Sequence, residues 1–253
     1  MPFVEIRGTQ VYYQEQGNGL PLIFIHGSMS SHLVWSYQRP LSEEYRTVML
    51  DLPGHGRSDP PDAEISVKLY AEYIAEFIKK RDLIQGIPVG HSLGGAITLQ
   101  LALDNPGLLT ALVLVGTGAK LGVLPAILEA IRTNYEESVE LTVGQLAFAA
   151  GADPVLVEQS KQECLRCSPE IAYADFVACN NFDVRDRLAD IYLQTLIIVG
   201  KEDKLTPLKW SQYLREKIPK SKLLEVEQAG HMVMLEKPDM VNGRIRSFIR
   251  MLR

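Results

Sequence analysis

The chain is poor in cysteine, and no stretch of it is plainly a membrane span. Three cysteines, Cys164, Cys167 and Cys179, are too few and odd in number for a disulfide framework. A reducing, cytoplasmic setting is therefore expected. Cys164-x-x-Cys167 has metal or redox spacing, but no second Cys or His pair follows it. The pair reads as packing residues, and neither a metal nor an organic cofactor is expected. Residues 84–103 carry no charge, yet Gln85, Gly86, Pro88, Gly90, His91, Gly94 and Gly95 interrupt them. They read as a buried strand turning into a buried helix. Met1-Pro2-Phe3-Val4-Glu5 has no basic start before an apolar core, so no signal peptide is expected. Basic residues number 26 against 31 acidic, a formal charge of -5. This excess of negative charge argues against nucleic acid and against an anionic membrane as partners. There is no internal repeat and no Ser/Gly-rich or charged linker. Oligomeric state is not legible.

What is present is organised around Val89-Gly90-His91-Ser92-Leu93-Gly94-Gly95. A short apolar run precedes it and a helix-like run closed by Asn105-Pro106 follows, so Ser92 lies at a strand-to-helix junction. G-x-S-x-G at such a junction is the pattern of a nucleophile elbow. A sharp turn holds the serine in a strained backbone conformation and pushes Oγ out at the strand end. The positions two residues away on either side are then crowded and must lack a side chain. Leu93 opens the helix, and its free backbone N–H can face a developing oxyanion.

The rest of the chain alternates strand and helix. Val4, Ile6, Val11 and Tyr13 around Gly8-Thr9 predict an antiparallel opening hairpin. Apolar runs at 21–25, 47–50, 109–115 and 195–199 predict strands of a sheet covered on both faces, and 222–226 predicts a further strand. Helices are predicted at 33–41, 66–83, 207–218 and 238–252; the second carries Val67, Tyr70, Ile74, Phe77 and Ile78 on one stripe. This is the rhythm of an α/β fold with a mostly parallel, doubly wound sheet. The rhythm breaks over 120–190, where helix-like pieces at 123–135, 138–150, 154–167 and 169–181 contain no core strand. That segment reads as a helical insertion, with 1–119 and 191–253 forming the core.

Ligands bind at the carboxyl ends of the strands in open parallel sheets. The residues just past each apolar run are His26-Gly27-Ser28, Ser92, Asp203 and His231. A serine nucleophile needs a base, and the base needs a carboxylate to fix its tautomer and stabilise its charged form. Glu202, next to Asp203, is the rival acid. His91 reads as structural, His26 and His55 as loop braces, and His32 as a histidine within reach of the pocket.

These pieces resemble the α/β-hydrolase superfamily from end to end: Ile25-His26-Gly27, Asp51-Leu52-Pro53-Gly54-His55-Gly56-Arg57-Ser58, Gly90-His91-Ser92-Leu93-Gly94-Gly95, Gly200-Lys201-Glu202-Asp203 and Gly230-His231. The chain order Ser92, Asp203, His231 is also that of the family. The resemblance implies Ser92 as nucleophile, His231 as general base and Asp203 as its orienting acid. It implies the backbone N–H groups of Ser28 and Leu93 as the oxyanion hole, and the 120–190 insertion as a cap. Candidates for a substrate pocket are Met29, Trp35 and Met232 beside these loops, and Leu124, Phe148 and Phe176 in the insertion. The expected activity is that of a carboxylesterase-like serine hydrolase on a small ester. Enol-lactones, thioesters and diketone carbon–carbon bonds are alternatives with the same triad, and a non-catalytic receptor is a third class. A serine at position 92 argues against dehalogenase and epoxide hydrolase chemistry, for which the resemblance would require aspartate there.

Overall fold

The apolar runs at 21–25, 47–50, 109–115 and 195–199 become inner strands of one sheet covered on both sides, whereas the segment at 222–226 forms a partly exposed edge strand. A computed structural model describes residues 2–252. Among the described residues there are eight strands: β1 (Phe3–Ile6), β2 (Thr9–Gln16), β3 (Pro21–Ile25), β4 (Arg46–Leu50), β5 (Ile87–His91), β6 (Ala111–Val115), β7 (Gln194–Gly200) and β8 (Ser221–Val226). Their spatial order is β1-β2-β4-β3-β5-β6-β7-β8. The β1–β2 hairpin is antiparallel, with Phe3 opposite Tyr12, and β2 runs antiparallel to β4. Every other neighbouring pair is parallel.

Parallel neighbours need crossovers, and helices supply them. Between strands run a 3-10 helix (His32–Glu43) and α1 (Val67–Lys80), α2 (Leu93–Asp104), α3 (Pro125–Thr133), α4 (Tyr135–Val139), α5 (Pro154–Cys164), α6 (Pro169–Asn181) and α7 (Leu208–Lys217), while α8 (Val233–Glu236) and α9 (Pro238–Arg250) follow β8. Strand side chains alternate between two cores. Ile23, Ile25, Leu112 and Leu114 pack with α1, α2 and α7. Leu22, Phe24, Val113 and Val115 pack with α8, α9 and a 3-10 helix at His32–Glu43. The predicted stripe of α1 is buried, and the Ser66 side chain caps the helix by accepting from Leu69 N–H.

Between β6 and β7 the chain is helical. Asp153 and Ser168 cap α5 and α6, and each of these helices opens with proline. The helix expected over 138–150 is not continuous. α4 stops at Val139 and a wider π-helix runs over Glu140–Leu146. The Thr142 hydroxyl donates to the Ser138 carbonyl (2.7 Å), a bond that competes with the regular ladder. Among the described residues, no helix is long and apolar enough to cross a membrane.

Candidate active site

The elbow has the strain its sequence implies. Ser92 sits at φ 54° and ψ -117°, outside the regions open to most side chains. A Cβ at Gly90 would lie 2.1 Å from the Gly94 carbonyl oxygen, and one at Gly94 would lie 2.2 Å from that of Ile25. The turn is pinned by Ser92 N–H donating to Val115 O (3.0 Å) and by the Thr117 hydroxyl donating to Ser92 O (2.8 Å). Leu93 is the first residue of α2, so its N–H lies in the first turn and has no partner within the helix.

Asp203 and His231 meet behind the elbow. Asp203 Oδ1 accepts from the backbone N–H groups of Leu205 (3.0 Å) and Thr206 (2.7 Å). Its Oδ2 accepts from the Thr206 hydroxyl (2.8 Å) and lies 2.9 Å from His231 Nδ1. With Nδ1–H donated to the carboxylate, the lone pair of His231 is on Nε2. Glu202 is engaged elsewhere, accepting from Ala150 N–H (3.0 Å). His91 Nε2 lies 3.1 Å from the His231 carbonyl, and burial, with His231 beside it, holds its basicity well below the ordinary histidine range.

The loop after β3 is set by His26. Leu52 N–H donates to His26 Nε2 (3.0 Å), so Nδ1 carries the proton and donates to Gly27 O (2.7 Å). Gly27 O and Ser28 N–H belong to one trans peptide and point in opposite directions. Pinning the carbonyl therefore aims the N–H. The Ser28 hydroxyl turns toward Cys179 Sγ on α6 (3.8 Å), whose thiol burial pushes up to about 12.

Ser28, Ser92 and His231 open on one cavity of about 360 Å³ between the strand ends and the helices after β6. Met29, Leu124, Phe176 and Met232 line it. Three expectations are corrected. Trp35 is fully buried against Phe24, with ring centroids 5.2 Å apart, while its neighbours Val34, Ser36 and Tyr37 face the cavity. Phe148 packs into the interior of the helical segment, and Ala147 takes the lining position instead. His32 is also turned away from the cavity: its Nδ1 and backbone N–H both face Asp51 Oδ1, at 2.8 and 2.7 Å. The three cysteines are unpaired and buried, and Cys164 lines the cavity. Among the described residues, no three His, Cys, Asp or Glu side chains gather as a metal site.

Four contributors were not picked out from the sequence. Thr117 braces the turn at Ser92, and Thr206 holds the Asp203 carboxylate. Glu236 joins Gly230 N–H (2.8 Å) to Ala149 N–H (2.9 Å), and Asp175 on α6 receives His55. The spacing Asp203-x-x-Thr206 carried a local signal, a side chain capping its own turn. The other three depend on long-range contacts.

A family model described as the alpha/beta hydrolase family matches residues 22–244. A pimeloyl-[acyl-carrier protein] methyl ester esterase of Vibrio vulnificus is 28% identical over 255 residues, covering 95% of this chain and 98% of that protein. Among solved structures, a thermophilic esterase superposes with a TM-score of 0.89 at 37% identity, over 99% of this chain and 97% of that one. Est816, described as an N-acyl homoserine lactone degrading enzyme, superposes with a TM-score of 0.90 at 27% identity, over 98% of this chain and 100% of that one.

Proposed function

The chain belongs to the alpha/beta hydrolase family, and from that membership we propose that it is a carboxylic ester hydrolase working through an acyl-enzyme on Ser92. The observation that carries the reading is the buried His231–Asp203 pair at 2.9 Å, with His231 and the strained Ser92 facing one cavity. Ser92 Oγ attacks the ester carbonyl and His231 Nε2 takes its proton, while Asp203 holds Nδ1–H and stabilises the imidazolium. The N–H groups of Ser28 and Leu93 receive the oxyanion; loss of one such donor costs about 10²–10³ in rate. His231 returns the proton to the leaving alcohol, and water then releases the acid by the same route.

Residues 120–190 act as the cap in this reading. A cavity of about 360 Å³ is near the lower end of ligand sites, roughly 300–1,000 Å³, which favours small esters. The resemblance to a methyl ester esterase favours a small alcohol as well. Three unpaired thiols fit a reducing, cytoplasmic setting. A cyclic ester is the second reading, supported by the likeness to Est816.

The test is hydrolysis of p-nitrophenyl esters of increasing acyl length, with Ser92→Ala as the blank. A short-chain optimum that disappears in the mutant is expected. Equal rates in both proteins would refute the serine mechanism, and a large kcat/KM preference for lactones would decide for the cyclic ester.

A further inference from the structure

Asp175 is fully buried on α6, inside the helical segment, and its partners all belong to the core of the fold. Its Oδ2 lies 2.9 Å from His55 Nε2, and its Oδ1 accepts from the Tyr70 hydroxyl (2.9 Å). The other nitrogen of His55, Nδ1, lies 3.2 Å from the Pro53 carbonyl, which can only accept. Both ring nitrogens therefore donate, and the pair is an imidazolium against a carboxylate. Burial alone would lower the His55 basicity; Asp175 outweighs it and holds it well above the ordinary range. A buried ion pair is weak as a stabilising device, because desolvation offsets the attraction. Here the pair, with Tyr70, ties α6 to the loop after β4 and to α1.

The geometry it fixes leads to the proposed oxyanion hole. The His55 ring packs on the His26 ring with centroids 4.9 Å apart. Burial first, and that neighbour second, push His26 down to about 3, so His55 acts on His26 mainly as the ring it packs against. A second proton would sit on His26 Nε2 and displace the Leu52 N–H that donates to it. His26 thus stays neutral with its proton on Nδ1, pinning the Gly27–Ser28 peptide. His55 is faced by Asp175 and Cys167 from the helical segment, by Tyr70 from α1 and by His26 from the end of β3.

We propose that Asp175 is a positioning residue for the oxyanion hole, acting through His55 and His26 to hold the Ser28 N–H toward the transition state. The helical segment would then complete the catalytic machinery as well as cover the substrate. The proposal rests on Ser28 N–H being an oxyanion donor.

Asp175→Asn in the full chain keeps shape and removes the charge. On the preferred p-nitrophenyl ester, kcat is expected to fall about tenfold to a hundredfold, up to the loss of one oxyanion donor. KM should stay within about twofold, since an oxyanion donor acts in the transition state rather than on the bound ester. A purely structural clamp would instead raise KM or lower Tm and leave kcat alone, and that outcome overturns the proposal. Nitrogen NMR of the parent protein supplies a measurement that does not depend on the variant folding. Both His55 nitrogens should carry protons at pH 8, where an ordinary histidine with a pKa near ~6.5 is neutral; a single proton overturns the proposal. Turnover retained by Ser92→Ala would remove the serine reading and the proposal with it. Turnover lost there, with kcat intact in Asp175→Asn, removes the positioning role alone.

Discussion

Asp203→Asn should cost about four orders of magnitude in kcat, and the structure dictates why. Oδ1 faces two fixed backbone donors, Leu205 N–H at 3.0 Å and Thr206 N–H at 2.7 Å. An amide NH₂ placed there would oppose donor to donor, so the asparagine oxygen must take that position. The NH₂ then falls where Oδ2 was, 2.9 Å from His231 Nδ1. It donates to Nδ1 and drives the ring proton to Nε2. A histidine protonated on Nε2 cannot accept the Ser92 proton. The same tautomer swap in a serine protease costs about 10⁴ in kcat, or about 5 kcal/mol of transition-state stabilisation. The assay is steady-state hydrolysis of the preferred p-nitrophenyl ester, with Ser92→Ala setting the background. Glu202→Gln is the control: its carboxylate meets only the Ala150 N–H among described donors, and kcat should stay within about threefold. Asp203→Asn retaining kcat within tenfold, or Glu202→Gln falling as far, would refute the assignment.

Other consequences are equally direct. Gly94→Ala would press a methyl group to 2.2 Å from the Ile25 carbonyl, a backbone atom that cannot move aside, and should cost at least about 3 kcal/mol; a Tm within 2 °C of the parent, roughly 1 kcal/mol or less at this size, would contradict that. Phe176→Ala should shift the acyl-length optimum, because Phe176 lines the cavity, whereas Trp35→Phe should lower stability and leave the optimum unmoved. Trp35→Phe moving the optimum would show that the cavity has been misassigned. Acid should destabilise the fold through His26 and His91, both buried and held neutral, His26 down to about 3. The unfolded chain takes up these protons near pH ~6.5 and the folded chain only at much lower pH. Their contribution is therefore complete above pH ~6.5 and falls below it by about 1.4 kcal/mol per pH unit for each histidine. Urea titrations at pH 7 and pH 5 measure this, and equal stabilities would refute it. His55 has the opposite sign: its raised value contributes stability that is lost as pH rises through its folded-state value.

The elbow was legible because its requirements are local. Gly90 and Gly94 answer to contacts within a few residues and one neighbouring strand, and a five-residue pattern encodes them. The central strands were legible for a similar reason, since strands buried on both faces leave continuous apolar runs; their spatial order was not read from the sequence. The cavity wall was not. Trp35 lies on a 3-10 helix, and its two neighbours face the cavity while it faces the core. Which face a residue occupies depends on three residues per turn instead of 3.6, and composition does not reveal that choice. Phe148 was misread because the helical segment has an interior of its own, with Ile131, Val139 and Ala172 turned away from the cavity. Asp175 was invisible: it meets His55 across 120 positions of sequence, and a lone acid in a helix usually faces water.

The most direct test of the account is to trap the acyl-enzyme. The parent protein would be mixed with excess p-nitrophenyl ester, quenched in acid within one turnover and digested for mass spectrometry. An acyl mass on the peptide bearing Ser92, absent in Ser92→Ala, is the predicted result. Turnover without a label on Ser92, or a label on another residue, would contradict it.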